Sequence, residues 1–300
     1  MDSNGVKGSP LILLSELRNY LSSNRELQKK VKIFFNDGSS KKISSLQKHV
    51  CNLGLNFEKN IKYSCDSFQN VFATTSAARS SKSIACFFFI DQFGITELNH
   101  SIFQDLIKSP ITDWLTFMSS SAARRFLGHP SLQSIPQAQY GRWQDAHRDL
   151  AAAYRNLAPE DYFILPFSIK KNANIYGLLF GSSHPLGADK FVSACWKIDP
   201  TAGEANYQID GDHRELCLRL SLLPATKITN FQRTVEQELL KGTITTNREL
   251  YLFTLRSGCL PLHARKILMQ MRDSGTLLKV PPLSYDSFAR KRIEKFEFKK

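Results

Sequence analysis

Apolar residues run along this chain in two rhythms, short continuous blocks and a spacing of three or four. From Ile84 to Gly94 the chain reads I-A-C-F-F-F-I-D-Q-F-G, an apolar block that stops on an aspartate. A block this short and this apolar predicts a strand buried on both faces, as in a parallel sheet covered by helices. Val31 to Phe35, Asn60 to Ser64 and Trp114 to Met118 predict further strands. Between them, Pro10 to Tyr20, Ser40 to Leu53, Ser67 to Ala78 and Glu97 to Lys108 carry helical spacing, clearest at Leu98, Ile102, Phe103, Leu106 and Ile107. Ser9 and Pro10 supply the cap and first-turn proline of the first helix. Alternating strands and helices favour an α/β class with a mostly parallel sheet.

Tyr162 to Lys170 and Asn174 to Phe180 are strand-like and joined by K-K-N-A, which predicts a hairpin closing one sheet edge. Ser131 to Asn156 is polar and reads as an insertion over the sheet. Gly181 to Lys190 reads as loop, Phe191 to Ile198 as helix, and Arg214 to Leu223 as either helix or strand. Beyond Ile228 the rhythm becomes three short helices. They are Phe231 to Leu240, a segment opened by the capping box of Thr246 and Glu249 and stopped at Gly258, and Pro261 to Arg272. Leu277 to Val280 and Lys295 to Phe298 can then pair as a ribbon, completing the order of a winged helix.

Charge changes the picture at this end. The chain of 300 residues carries forty Lys and Arg against twenty-seven Asp and Glu, a net +13. From Lys227 to Lys300 there are fifteen basic and seven acidic residues, so eight of those thirteen excess charges lie in the last quarter. That concentration points to an anionic partner, DNA or RNA. On the third helix His263, Arg265, Lys266 and Gln270 are expected to face outward as nucleic-acid contacts, with Leu262, Ile267 and Met271 facing inward. The same pattern also suits a winged helix used for protein contact or as a lid.

Six dispersed cysteines form no C-x-x-C pair, and the seven histidines form no H-E-x-x-H, so a metal-dependent nuclease lacks its ligands. Asp145 with His147, and Asp212 with His213, come nearest to a metal pair. No apolar stretch reaches the roughly 20 residues of a membrane span. M-D-S-N-G-V-K-G-S-P lacks the basic region and apolar core of a secretion signal, so a cytoplasmic protein is expected, with no membrane association. Asp91 ends its strand where ligands bind in open α/β sheets, or alternatively caps the helix that follows.

Several segments together resemble the three-Cys-motif partner family, TcmP. They are G-S-P-L at Gly8 to Leu11, F-F-F-I-D-Q-F-G from Phe87, T-D-W-L-T-F-M-S-S-S-A-A-R-R-F at Thr112 to Phe126, and I-Y-G-L-L-F-G-S-S-H-P-L-G-A-D-K-F at Ile175 to Phe191. C-W-K-I-D at Cys195 to Asp199 and G-E-A-N-Y at Gly203 to Tyr207 extend the likeness over nearly the whole chain. The resemblance implies a methyltransferase-type Rossmann domain over 1–224, a winged helix-turn-helix domain over 225–300, and a radical-SAM-like partner that carries the three-cysteine motif. It also implies S-adenosylmethionine as cofactor, with Asp37 at the ribose, Asp66 near the adenine, Asp91 positioning the methyl acceptor and Phe93 stacking on it as the catalytic pair.

One departure stands out. The family has a strand ending in a phrase like D-x-F-A-G-P-G ahead of G-S-P-L, and here M-D-S-N-G-V-K stands in its place. That strand lies between the second and fourth, and its glycine turn lets backbone approach the cofactor. The expectation is an N-terminally incomplete Rossmann domain that does not catalyse alone. The rival reading is a non-catalytic module that docks its partner or binds nucleic acid.

Overall fold

The computed structural model describes residues 8–91, 97–119, 145–209 and 226–299. Its chain divides into two compact units, Met1–Ala77 and Ala78–Lys300. Residues on either side of the 224/225 boundary expected from sequence share one apolar core, running from Phe163 and Phe180 through Trp196 to Leu250, Leu268 and Phe296.

In the first unit, helices α1 (Ser9–Leu21), α2 (Arg25–Lys30) and α3 (Ser40–Cys51) accompany strands β1 (Ile33–Asn36) and β2 (Ile61–Ser64). The strands pair in parallel, Ile33 opposite Ile61 and Asn36 opposite Ser64. Leu11, Leu14 and Leu21 bury one stripe of α1 with Val50, Leu55, Phe57 and Ile61. The predicted helix after β2 is interrupted at Thr75, giving α4 (Phe68–Thr74) and α5 (Ser76–Arg79).

The second unit holds β3 (Cys86–Asp91), α6 (His100–Lys108), β4 (Thr112–Ser119), α7 (Ala146–Arg155), β5 (Phe163–Lys171), β6 (Asn174–Ser182) and α8 (Pro185–Ile198). Its sheet order is β3-β4-β6-β5. The β3 and β4 strands are parallel, while β6 runs antiparallel to both β4 and β5, so the hairpin joins the parallel pair through its second strand. The whole is mixed α/β.

Two expectations change here. The β3 strand is not buried on both faces, since it stands at the sheet edge among the described residues and leaves Phe87 56% and Phe89 43% exposed. The helix expected from Phe191 begins at Pro185, because Pro185 occupies the first helical position and the His184 ring caps it, Nδ1 accepting from Leu186 N–H at 3.2 Å. Gly187 sits inside that helix, where a Cβ would lie 2.8 Å from the Asp113 carboxylate, so only glycine fits the close approach.

Two glycines in the resembling segments have a packing reason. A Cβ on Gly181 would lie 2.0 Å from the Trp114 ring, and one on Gly203, at φ +60°, 2.6 Å from Trp196.

The last quarter contributes α9 (Lys227–Leu240), α10 (Asn247–Arg256), α11 (Pro261–Asp273) and the short α12 (Tyr285–Ala289). The expected capping box at α10 is formed, Thr246 Oγ1 accepting from Glu249 N–H at 3.2 Å and Glu249 Oε2 from Thr246 N–H at 3.0 Å. The ribbon is reduced to single antiparallel bridges, Leu277 with Phe298 and Thr246 with Lys295. Arg214 to Leu223 and most of Ser131 to Asn156 lie outside the described residues.

Candidate functional site

Parallel strands end with their carboxyl tips on one side, and in the first unit those of β1 and β2 are clasped together. Asn36 Nδ2 donates to Asp66 O at 3.0 Å, and Asp66 N–H donates to Asn36 Oδ1 at 3.2 Å. Asp37 follows Asn36, accepting from Ser39 N–H at 2.9 Å and from Lys42 Nζ at 3.2 Å. Asp66 accepts through Oδ1 from Ser67 N–H at 2.6 Å and from Asn70 Nδ2 at 2.9 Å. Thus the fold brings Asp37 and Asp66 to one edge, and each also anchors the start of the segment that follows it.

Asp91 belongs to the second unit, where it ends β3, exposed, with Phe117 of β4 as its ladder partner. Paired residues share a face of the sheet. Phe117 in turn stacks on Tyr176 of β6, ring centroids 4.8 Å apart and planes 24° apart. A carboxylate beside a flat aromatic pair can accept hydrogen bonds from an amine while the rings contact a planar group. Sequence reading gave the stacking role to Phe93, which lies outside the described residues with Gln92 and Gly94. The Phe117 and Tyr176 pair was missed because nothing local in T-F-M-S or N-I-Y-G shows that their strands are neighbours.

The metal-pair candidates resolve differently. Asp145 accepts from Arg148 Nη1 at 2.7 Å, and Arg148 also pairs with Glu204 of the G-E-A-N-Y segment. His147 is buried, packed against Gly177. Among the described residues no cluster could hold a metal ion; Asp212 and His213 lie outside them.

On α11 the outward face is Arg265, Lys266, Met269 and Gln270, with Ile267, Leu268 and Met271 buried. His263 corrects the expectation that it faces outward, being only 5% exposed. Its ring meets Trp196 edge-on, centroids 4.3 Å apart, and its Nδ1 accepts from Leu260 N–H at 3.2 Å. Burial, followed by the charges of Lys266 and Lys227, pushes its pKa down to about 4. The imidazole is therefore a neutral cap for α11 rather than a nucleic-acid contact. Leu262, expected inside, is exposed because the buried stripe of α11 runs through His263, Ala264, Ile267, Leu268 and Met271 and leaves it to one side.

Beside α11 an open groove of about 600 Å³ is lined by Arg265, Met269 and Arg272 from the helix and by Leu278, Lys279 and Arg292 from the chain opposite. Arg272, Lys279 and Arg292 were not among the residues singled out from sequence. Their signal was present only as scattered charge, since Lys279 and Arg292 reach the helix through tertiary folding. Comparison of the chain with family models, curated proteins and solved structures gives no match, so its assignment rests on these residues and their arrangement.

Proposed function

We propose that this chain is a three-Cys-motif-partner-like protein, with a methyltransferase-type Rossmann body and a C-terminal winged helix that meets nucleic acid beside a radical-SAM-like partner. The observation that carries this reading is the strand pairing. Among the described residues β1 has only β2 as a parallel partner, and β3 has only β4, with the antiparallel β6 beyond it. Each unit thus carries a parallel strand pair with helices between, the element from which a doubly wound α/β body is built. The order of α9, α10, α11 and the Leu277 to Phe298 bridge supports the winged-helix part.

The acidic tips suit an adenosyl group in part. Asp37 and Asp66 stand on neighbouring strand ends, and the exposed ion pair of Asp37 with Lys42 can be exchanged at little cost. Among the described residues none forms the glycine-rich turn after a strand that such a group needs for close backbone approach. Within the second unit, Asp91, laddered to Phe117, and the Phe117 and Tyr176 rings offer a carboxylate and a flat aromatic surface to an amine on a planar group.

Calorimetric titration of this chain with S-adenosylmethionine tests it. Binding weakened by Asp37→Asn is expected, and an absence of heat would remove the methyltransferase reading. The rival, a non-catalytic module, draws support from the local bonds that already occupy Asp37 and Asp66, and it predicts nucleic-acid binding with no response to the cofactor.

A further inference from the structure

We infer that the groove between α11 and the chain opposite it is a binding site for duplex DNA, held along its phosphates by Arg265, Arg272, Lys279 and Arg292. The inference rests on the reading of the last quarter as a nucleic-acid contact and deepens it to one class of ligand. Charge complementarity selects a polyanion. Four cations line the groove, and its acidic lining residue, Glu294, is held by Lys279 at 2.9 Å. Arg272 pairs with Asp273 in an exposed contact that a phosphate can replace.

The remaining lining distinguishes one nucleic acid from another. Non-specific single-strand sites stack bases on aromatic rings, and none of the residues lining this groove is aromatic. Of the apolar lining residues, Met269, 40% exposed, and Leu278, 56% exposed, suit sugar edges and thymine methyl groups. The exposed face of α11, with Lys266 and Gln270 beside Arg265, is a helix surface that enters the major groove of B-form DNA. A-form RNA has a major groove too deep and narrow for side chains to read. Cations on both the helix and the opposite chain can then reach phosphates on either side of that groove.

Fluorescence anisotropy on the whole chain tests this with a labelled mixed-sequence DNA duplex, the matching single strand and an RNA duplex, each at stepped salt. DNA duplex binding should be at least about tenfold tighter than either alternative. Each groove cation that meets a phosphate contributes about 0.9 to the slope of log K against log salt. The double variant Arg265→Glu with Arg292→Glu should therefore weaken binding by about tenfold or more and flatten that slope by about two units. Lys108→Glu, at the end of α6, should change neither beyond about twofold. Circular dichroism confirms that each variant is folded. Equal or tighter binding of the single strand or the RNA duplex would overturn the duplex assignment while leaving the nucleic-acid reading in place. Loss shared equally by Lys108→Glu would also overturn it. Binding of no nucleic acid at low salt, or displacement of all three by an acidic protein alone, would overturn both.

Discussion

The first 77 residues and the last quarter are of similar length, and they hold their candidate side chains in opposite ways. In the first unit the acidic residues at the strand tips are engaged locally, Asp37 by Ser39 N–H and Lys42, Asp66 by Ser67 N–H and Asn70. In the last quarter the cations of α11 and the chain opposite face an open groove, while the polar groups that hold the helices, His263, Thr246 and Glu249, are turned to capping. Acidic side chains thus serve structure in the one place, while cations line a groove open to a ligand in the other. Two short parallel strands build a small core, whereas the C-terminal helices draw on the core of a four-stranded sheet. An anchored scaffold holds its surface charge in exposed pairs, such as Arg272 with Asp273, that a ligand can exchange at little cost.

Truncation in the two cores is the strongest way to break that contrast. Leu250→Ala, at a fully buried position of the shared core, should cost about 4 kcal/mol, and Leu14→Ala in the first unit nearer 3 kcal/mol. Urea unfolding of each variant checks this, and a larger loss at Leu14 would reverse the comparison. Next comes the sheet that supports the last quarter. Gly181→Ala forces a methyl into the Trp114 ring and should lower stability by about 2 kcal/mol, read in the same unfolding experiment.

Smaller effects sharpen it. Thr246→Ala removes the cap of α10 and should cost about 1 kcal/mol, while Asn36→Ala, which opens the clasp between β1 and β2, should cost about as much. Equal thermal shifts measured on separate variants would fit, and no shift at Asn36 would show that the strand tips need no clasp.

The acid dependence of His263 is the subtlest. Its folded pKa of about 4 lies below the ordinary histidine value of about 6.5. Between these the unfolded chain binds the extra proton and the folded one does not, so the contribution is whole above about pH 6.5 and fades as pH falls toward 4. Protonated Nδ1 could no longer accept from Leu260 N–H. Unfolding at about pH 7 and about pH 5 should differ by on the order of 1 kcal/mol more in the native chain than in His263→Asn, in which the side-chain oxygen can cap without titrating. An equal pH response in both would remove His263 as the cause.

Much of the local structure was legible. The helical spacing in Glu97 to Lys108 led to α6, whose start moved to His100 because Asn99 caps it, accepting from Ile102 N–H at 3.0 Å. The T-x-x-E phrase and the K-K-N-A link became a capping box and a hairpin. Legibility fell where a residue's role depended on a distant element. Pro185 and Gly187 looked like loop residues until Asp113, from β4, came against the start of α8.

Sequence alone determined the alternation of strands and helices, the capping box of α10, and the surplus of positive charge in the last quarter, because each arises from residues a few positions apart; the Ser9 cap expected for α1 is not made, since Ser9 is already helical and Gly8 precedes it with no side chain to bond. Tertiary structure alone decided that β3 exposes Phe87 and Phe89, that Asp91 is laddered to Phe117, which stacks on Tyr176, that His263 turns inward against Trp196, and that Lys279 and Arg292 face α11. Periodicity tells which side chains share a face. Which face is covered, and by what, is set by chain segments far away in sequence, whose approach no local pattern records.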